Sequence, residues 1–225
     1  MTDPTKPTLA LLHTTPVTVQ AMKDLAAREL PGVRVINILD DSLLADVIAA
    51  GGVTDAVRER LEGYARQAAT AGASGLMTCC SSIGGAIEDL REGSPIPLWR
   101  VDEPMAEQAV TTGARVGVIA TVGTTLAPTA DLVRRKAAEL GRDVQVEAVL
   151  VPGAYDALMA GRGEDHDRLV TEALKGLIER SDVVVLAQAS MARLLAKLDG
   201  EPRVPVLSSP QSGLLAAGQK VKEAR

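Results

Sequence analysis

The feature that most constrains the fold of this 225-residue chain is an internal repeat. Four segments of the first half align in order with four segments of the second half, and the strand segments among them are offset by 107 residues early and 108 later. Four matches in the same order indicate a duplication, so we predict two similar lobes, residues 1–105 with 209–225 and residues 106–208. The repeat pairs residues 9–18 with 116–125, 26–30 with 137–140, 75–83 with 183–191 and 96–98 with 204–206.

Short segments rich in Val, Ile and Leu alternate with segments of helical spacing, such as the apolar face of Val57, Leu61, Tyr64 and Ala68. The apolar segments show little polar alternation, which is typical of strands covered on both faces of a parallel sheet. We therefore predict an α/β protein in which each pseudo-symmetric lobe is a four-stranded parallel sheet flanked by helices. The predicted strands are residues 9–13, 33–39, 75–79, 98–101, 115–120, 144–151, 183–187 and 204–207.

Four turns that follow predicted strands are rich in small hydroxyl residues, at residues 14–18, 79–82, 121–125 and 188–190. Ligands of open α/β sheets bind beyond the carboxyl ends of the strands. Each turn is predicted to open a helix, whose free N–H groups and positive dipole end attract an anion. We expect a small carboxylate to bind in the cleft between the lobes. The alternative is that these Ser and Thr side chains are only helix N-caps.

The two cysteines, Cys79 and Cys80, are adjacent and cannot staple distant segments. Cys79 still belongs to a predicted strand and is the better candidate for an inert core thiol. Cys80 begins the following helix, where we expect the helix dipole and N–H groups to lower the pKa of the thiol. A thiolate at this position can take a proton from carbon or return it. An inert core role for Cys80 and a redox pair of both cysteines remain alternatives.

Composition excludes several classes of function. The net charge of −5 is spread along the chain, so no nucleic-acid partner is predicted. No apolar run approaches the roughly 20 residues of a membrane span, and residues 1–7 lack the apolar core of a signal peptide, so we expect a cytoplasmic protein. Neither a Gly-rich nucleotide motif nor a Cys/His zinc spacing occurs. The acidic segment 164–168 around His166 is interpreted as a solvated helix start.

The segments 76–84 and 185–192, together with residues 12–18 and 117–121, resemble the signatures of the aspartate/glutamate/hydantoin racemase family. The similarity covers nearly the whole chain. It implies two pseudo-symmetric lobes with the substrate between them, no pyridoxal phosphate and no metal, and a homodimer. Racemases of this family carry one cysteine in each lobe, on opposite faces of the acidic carbon. The first of these maps onto Cys80.

The second cysteine of that pattern maps onto Gln188, whose amide is neither an acid nor a base near neutral pH. Arylmalonate decarboxylases of the same superfamily resemble this chain in using one thiol, although they keep the cysteine of the second lobe. His13, at the end of the first predicted strand, is the candidate for another base. A decarboxylase or other lyase of a malonate-type acid and a small-acid-binding protein without activity are the alternatives to an isomerase.

We thus predict a cofactor-independent isomerase that moves a proton at the acidic carbon of a small carboxylic acid. Cys80 is the predicted catalytic residue, and segments 40–45 and 153–158 are the predicted specificity loops. Donors at the four turns are expected to hold the carboxylate and an enolate-like intermediate. The predicted substrate-binding residues are Thr15, Pro16, Ser81, Ser82, Thr121, Thr124, Gln188, Ala189 and Ser190.

Overall fold

The computed structural model describes residues 6–197 and 200–224. Its contacts divide the chain into two compact units. The first consists of the chain up to Val101 together with the segment from Pro210 onward, and the second is Asp102–Ser209. Each unit contains one four-stranded sheet, so the predicted α/β architecture of two similar lobes is confirmed.

The first unit alternates strands with helices along the chain. A single turn of 3₁₀ helix, Ser81–Ile83, stands between its third strand and its fourth helix. Its elements are β1 (Thr8–His13), α1 (Val17–Glu29), β2 (Arg34–Leu39), α2 (Ser42–Ala50), α3 (Asp55–Thr70), β3 (Gly75–Thr78), α4 (Gly84–Asp89) and β4 (Leu98–Arg100).

The second unit repeats this alternation, and a 3₁₀ run, Ala189–Lys197, follows its third strand. The last helix, α9 (Ser209–Glu223), then returns the chain to the first unit. The elements of the second unit are α5 (Glu103–Thr112), β5 (Arg115–Ala120), α6 (Gly123–Glu139), β6 (Gln145–Leu150), α7 (Ala154–Met159), α8 (Gly163–Ile178), β7 (Val183–Leu186) and β8 (Val206–Ser208).

Both sheets are entirely parallel and have equivalent strand orders, β2-β1-β3-β4 and β6-β5-β7-β8. All eight predicted strands are present, with ends that differ from the prediction by two residues at most. The register repeats as well, because Leu12 lies beside Thr78 in the first sheet and Ile119 lies beside Leu186 in the second. The duplication seen in the sequence is therefore a duplication of topology.

Each sheet is covered on both faces, because successive side chains of a strand point to opposite sides. In the first sheet, Ala10, Leu12 and Leu76 pack with α2, α3 and α4, whereas Leu9, Leu11 and Met77 pack with α1 and α9. In the second sheet, one face packs with α5 and α6 and the other with α7 and α8. The central strands are accordingly apolar throughout.

The prediction that all eight strands are covered on both faces was wrong for two edge strands. In β6, Gln145, Glu147, Ala148 and Leu150 are exposed, and β2 is only partly buried, with Asn37 and Leu39 exposed. β2 and β6 each have a neighbouring strand on one side only. The exception therefore concerns β2 and β6, because β4, which is also at an edge, keeps Leu98 and Arg100 buried.

Candidate active site

Cys80 lies where the inner strand β3 ends, at the carboxyl edge of the first sheet. Its backbone is extended, with φ −131° and ψ 118°, and it directly precedes the 3₁₀ turn Ser81–Ile83. Its N–H donates a hydrogen bond to Thr78 Oγ1 at 3.2 Å. Cys80 as a residue is partly buried, whereas Cys79 is buried.

Cys79 occupies a different environment from its neighbour. Its side chain is 5% exposed and packs with Leu9, Leu11 and Met77 on the α1 and α9 side of the sheet. Cys80 packs on the opposite side, against the core that includes Leu12. Burial raises the pKa of Cys79 far above its ordinary range. Cys79 is therefore a core thiol.

The expectation that its surroundings lower the pKa of Cys80 was wrong in sign. Burial raises the pKa of the Cys80 thiol, and this effect exceeds the opposing effects of the Thr14 hydroxyl and of groups of Ser82 and Ile83. The physical reason is the short helix that follows. One 3₁₀ turn and the six residues of α4 supply a weaker dipole than a full α-helix would. The thiol is thus mainly protonated at neutral pH.

The hydroxyl-rich turns of the first unit differ in exposure. Ser81 and Ser82 are 5% and 3% exposed, whereas Thr15 is partly exposed and Pro16 is exposed. Thr15 Oγ1 accepts a hydrogen bond from the N–H of Val17 at 3.4 Å, a local contact at the start of α1. The N-cap positions of α1 and of the 3₁₀ turn are Pro16 and Cys80, and neither makes a side-chain cap.

In the second unit, Thr121 and Gln188 form the equivalent pair of turns. Gln188 Oε1 accepts hydrogen bonds from the N–H of Thr121 at 2.7 Å and from Thr121 Oγ1 at 2.9 Å. A backbone N–H can only donate, so the amide atom that faces it must be the oxygen. The Nε2 group of Gln188 therefore points away from Thr121 with its two N–H donors.

The other predicted site residues of the second unit lie beside this pair. Ala189 and Ser190 are partly buried and begin the 3₁₀ run that follows Gln188. Thr124 lies in the first turn of α6, and its hydroxyl oxygen is buried without a hydrogen-bond partner in the part of the chain that is described. Pro128, inside α6, has no N–H to offer the carbonyl of Thr124.

His13 is buried at the end of β1 and has no free nitrogen. Its Nδ1 lies 2.9 Å from Thr18 Oγ1, and its Nε2 lies 3.0 Å from Asn37 Oδ1 on β2. Burial lowers the pKa of His13, although the hydrogen bond with Asn37 opposes this effect. A neutral imidazole with both nitrogens engaged does not fit the second base considered from the sequence. Through these two contacts, the His13 side chain connects β1 with β2 and with the start of α1.

The predicted specificity loops are largely helical. Residues 42–45 open α2, and Asp40 just before it is held by Arg60, Ser42 and Tyr64, whose hydroxyl lies 2.5 Å from Asp40 Oδ2. The segment 153–158 consists of Gly153, at φ 72°, and most of α7. Asp40 is therefore an anchor for the α2–α3 pair.

A buried arginine lies beneath the start of α4. The side chain of Arg100, on β4, is 1% exposed, and its guanidinium donates a hydrogen bond to Glu88 Oε2 at 2.9 Å. It also packs so closely against Gly84 that a Cβ there would lie 2.6 Å from Arg100 Cζ. Nothing in the sequence pattern indicated this contact, which joins β4 to the helix after Cys80.

The acidic segment around His166 opens α8 as predicted, with Glu164 exposed, but it is not solvated throughout. His166 and Asp167 are 2% and 8% exposed. His166 Nδ1 lies 2.8 Å from Asp167 Oδ1, and Arg193 contacts both carboxylate oxygens of Asp167 at 2.5 and 2.6 Å. The contacts among His166, Asp167 and Arg193 connect α8 to the 3₁₀ run that follows Gln188. The reason is that the face of α8 bearing residues 166, 167 and 170 points inward.

Within each unit, the structure brings together residues that the sequence separates by more than 60 positions. In the first unit, the turns that carry Thr15 and Cys80 both leave inner strands at the carboxyl edge. In the second unit, Thr121 meets Gln188. Thr14, whose hydroxyl lies near Cys80, was not among the predicted site residues. The repeat carried a signal for it, because Thr14 aligns with Thr121.

Residues 6–197 and 200–224 contain neither a metal-binding cluster nor a membrane-spanning helix. No group of three or more His, Cys, Asp or Glu side chains in these residues is arranged to hold a metal ion. None of their helices is both long enough and apolar enough to cross a bilayer.

Comparison with known proteins agrees with the fold and the repeat. The family model of Asp/Glu/hydantoin racemase matches residues 12–217. No curated protein sequence matches the chain. Among solved structures, a putative Asp/Glu racemase from Yersinia pestis has a TM-score of 0.74 at 16% identity, covering 96% of this chain and 99% of its own.

Two further structures share the fold. Glutamate racemase from Bacillus anthracis has a TM-score of 0.72 at 16% identity, over 96% of this chain and 82% of its own. An arylmalonate decarboxylase has a TM-score of 0.56 at 17% identity, over 96% of this chain and 93% of its own. The family match spans both units and covers all eight strands except the start of β1. This chain therefore belongs to the Asp/Glu/hydantoin racemase family.

Proposed function

We propose that this protein is a cofactor-independent enzyme that moves a proton at the acidic carbon of a small carboxylic acid through one thiol, that of Cys80. The observation that carries the proposal is the position of this thiol. It is partly exposed at the carboxyl edge of the first sheet, next to the Thr14 hydroxyl and to groups of Ser82 that favour its charged form. Ligands of parallel sheets bind at this edge.

Gln188 gives the second unit a hydrogen-bond donor where two-thiol racemases have an acid–base group. Because Thr121 holds the amide oxygen, the two N–H donors of Nε2 point away from Thr121. The family resemblance maps the second cysteine onto this position, and on that ground we propose that Nε2 donates to a carboxylate or an enolate oxygen of the substrate. An amide stabilises developing negative charge on oxygen but does not deliver a proton. We therefore propose one-thiol chemistry, in which Cys80 takes a proton from the acidic carbon and returns it to one face of the resulting enolate. Return to the same carbon gives hydrogen exchange with retention, and return to a neighbouring carbon of a conjugated acid gives an isomer.

A lyase is the second candidate, and the protonation state of Cys80 favours it. A thiol whose pKa is raised by burial is a proton donor at rest. In this reaction, the bond from the acidic carbon to one carboxylate breaks, carbon dioxide leaves, and the electron pair stays on the carbon as an enolate. Cys80 then transfers its S–H proton to that carbon, and the resulting thiolate regains a proton from water.

The decisive experiment incubates the protein with single enantiomers of amino, hydroxy and hydantoin-type acids, and with substituted malonates, in deuterated water. Exchange of the α-hydrogen without inversion supports one-thiol proton transfer, and release of carbon dioxide supports the lyase. Inversion at the rate of exchange would contradict the one-thiol mechanism. Binding of an acid with neither exchange nor release would leave a binding protein and would refute both enzymes.

The neighbouring cysteines offer a matched pair of variants. Cys80→Ala should lower turnover by about 100-fold or more, because a positioned acid–base group contributes about that much. Cys79→Ala should retain the activity, because its side chain packs on the other side of the sheet. Equal losses in the two variants would refute the role of Cys80. A homodimer and a cytoplasmic location remain predictions from the family resemblance and the sequence.

A further inference from the structure

The duplication pairs two threonines as well as the two central residues of the proposed site. Thr14 follows β1 and Thr121 follows β5, 107 residues later, while Cys80 and Gln188 are 108 residues apart. In the first sheet, Leu12 lies beside Thr78, so continuing the register by two residues brings Thr14 beside Cys80. The same continuation from Ile119 and Leu186 brings Thr121 beside Gln188.

Backbone hydrogen bonds support this continuation of the register beyond the strand ends. The N–H of Cys79 donates to the carbonyl of Leu12 at 2.8 Å, and the N–H of Ala187 donates to the carbonyl of Ile119 at 3.0 Å. Side chains two residues apart on a strand point to the same face. Thr14 and Cys80 therefore share the face of Leu12, on which α2, α3 and α4 pack.

The two threonines differ in what their hydroxyl groups contact. Thr121 Oγ1 donates a hydrogen bond to Oε1 of the Gln188 side chain at 2.9 Å. Thr14 is 3% exposed, and its buried hydroxyl oxygen has no hydrogen-bond partner of ordinary geometry among the described residues. A buried hydroxyl without a partner is costly, and a neutral thiol is a weak acceptor. A thiolate, in contrast, is a charged acceptor and forms stronger hydrogen bonds.

We propose that Thr14 is a further residue of the reaction, whose hydroxyl donates a hydrogen bond to the thiolate of Cys80 as Thr121 donates to Gln188. The buried Thr14 hydroxyl thus has a strong acceptor only while the sulfur is charged. This inference rests on the proposed function of Cys80, because it assigns the group that holds the thiolate between loss and regain of its proton.

Other ionisable groups on the elements around this turn already have partners or face elsewhere. Cys79 faces α1 and α9. Several others are engaged in pairs and clusters of their own, namely His13 with Thr18 and Asn37, Arg60 with Asp40 and Asp46, Tyr64 with Asp40, and Arg100 with Glu88. Asp41, Asp55 and Glu59 are exposed. The Thr14 hydroxyl is a buried donor near the sulfur that has no hydrogen-bond partner of ordinary geometry among the described residues.

The test measures the thiol itself, on the free protein without substrate. The rate at which iodoacetamide alkylates Cys80 is followed by mass spectrometry from pH 6 to 11 in a Cys79→Ala background. Thr14→Val keeps the shape of the side chain and removes the hydroxyl, and Thr14→Ser keeps the hydroxyl. We expect alkylation of the Val variant to be about 10-fold slower below the pKa of the thiol, with its profile moved about one unit upward.

The controls separate this effect from general damage. Thr14→Ser should stay within about twofold of the parent protein, since a hydrogen bond to a charged group is retained. Thr70→Val removes an exposed hydroxyl at the end of α3 and should leave the profile unchanged. Should Thr14→Val not fold, Thr14→Ala replaces it in the same comparison.

The inference is overturned if the Val or Ala variant titrates like the parent, or if the Ser variant shifts as far as the Val variant. If exchange or carbon dioxide release is found, the Val variant should lose turnover number and keep its KM. Alkylation does not depend on turnover, so absence of any activity would refute the proposed function while leaving the role of Thr14 to be decided by the profile.

Discussion

Cys79 and Cys80 are adjacent in the chain but pack into opposite faces of the first sheet. Cys79 belongs to the core formed with α1 and α9, and Cys80 packs against the core formed with α2, α3 and α4. This follows from the extended backbone, in which neighbouring side chains alternate. The arrangement separates the chemistry of the two thiols and excludes a disulfide between them without rearrangement of the strand end.

We predict selective modification of Cys80 in the native protein. Iodoacetamide at pH 8 should alkylate Cys80 and leave Cys79 unmodified, because Cys79 is 5% exposed and its pKa is raised far above the ordinary range by burial. Peptide mass spectrometry reads out both sites, and denaturation in urea before alkylation serves as the control in which both react. If Cys79 were modified before Cys80 under native conditions, the assignment of Cys79 to the buried core would be contradicted.

We predict that Gln188→Cys gains inversion of configuration. A thiol there would provide the second acid–base group that the amide lacks, and we expect the rate of inversion to rise by about 100-fold over that of the parent. Chiral chromatography of the product gives the measurement. Gln188→Ser, which removes the amide without adding a thiol, is the control and should show no inversion. Equal behaviour of the two variants would contradict the mapping of the second racemase cysteine onto Gln188.

A pH-dependent contribution to stability is predicted from Asp40. Burial would raise the pKa of this carboxyl, but hydrogen bonds from Tyr64, Ser42 and Arg60, together with the charge of Arg60, lower it from 3.8 to about 2. A depressed pKa in the folded state stabilises the fold above the unfolded pKa. This contribution is therefore complete above about pH 4 and is lost as the pH falls toward 2.

Asp40→Asn should accordingly lower the free energy of unfolding by about 1–2 kcal/mol at pH 7, with the value reduced by solvent screening because Arg60 is one-third exposed. Urea unfolding of both proteins at pH 7 and at pH 2.5 measures the difference, which should shrink at the lower pH. Asp41→Asn is the matched control on the neighbouring residue. A difference that is the same at both pH values would show that the carboxylate charge contributes nothing.

Two adjacent glycines give opposite predictions for the same substitution. Gly84→Ala should destabilise the protein by about 1–3 kcal/mol, because the new methyl group would press on the buried Arg100 guanidinium. Gly85→Ala meets no atom within 4 Å and should be neutral or stabilising by up to about 1 kcal/mol, the gain of Ala over Gly in a helix. Urea unfolding measures the free energy of unfolding of both variants. Equal changes in the two would refute the close contact between residue 84 and the Arg100 side chain.

The same variant bears on the thiol, because Gly84 begins the helix that follows Cys80. We expect Gly84→Ala to alter the alkylation rate of Cys80 and Gly85→Ala to leave it unchanged. Arg100 would then be identified as a residue that positions the turn after β3 through Gly84.

The sequence by itself determined the architecture. Apolar segments without polar alternation predicted the eight strands, and the repeat predicted two equivalent sheets, because burial on both faces and duplication leave direct traces in the order of residues. It also led to the prediction of Cys80 rather than Cys79 as the reactive thiol, because Cys79 was assigned to the strand 75–79 and Cys80 to the start of the following helix.

Only the tertiary structure decided the electrostatics and the partners. The pKa of Cys80 is raised because burial, a property of the packed core, exceeds the effect of a helix that is too short to compensate. The orientation of the Gln188 amide depends on Thr121, and the burial of His166, Asp167 and Arg100 depends on elements distant in sequence. Such effects arise from distances between side chains, which periodicity along the chain does not encode.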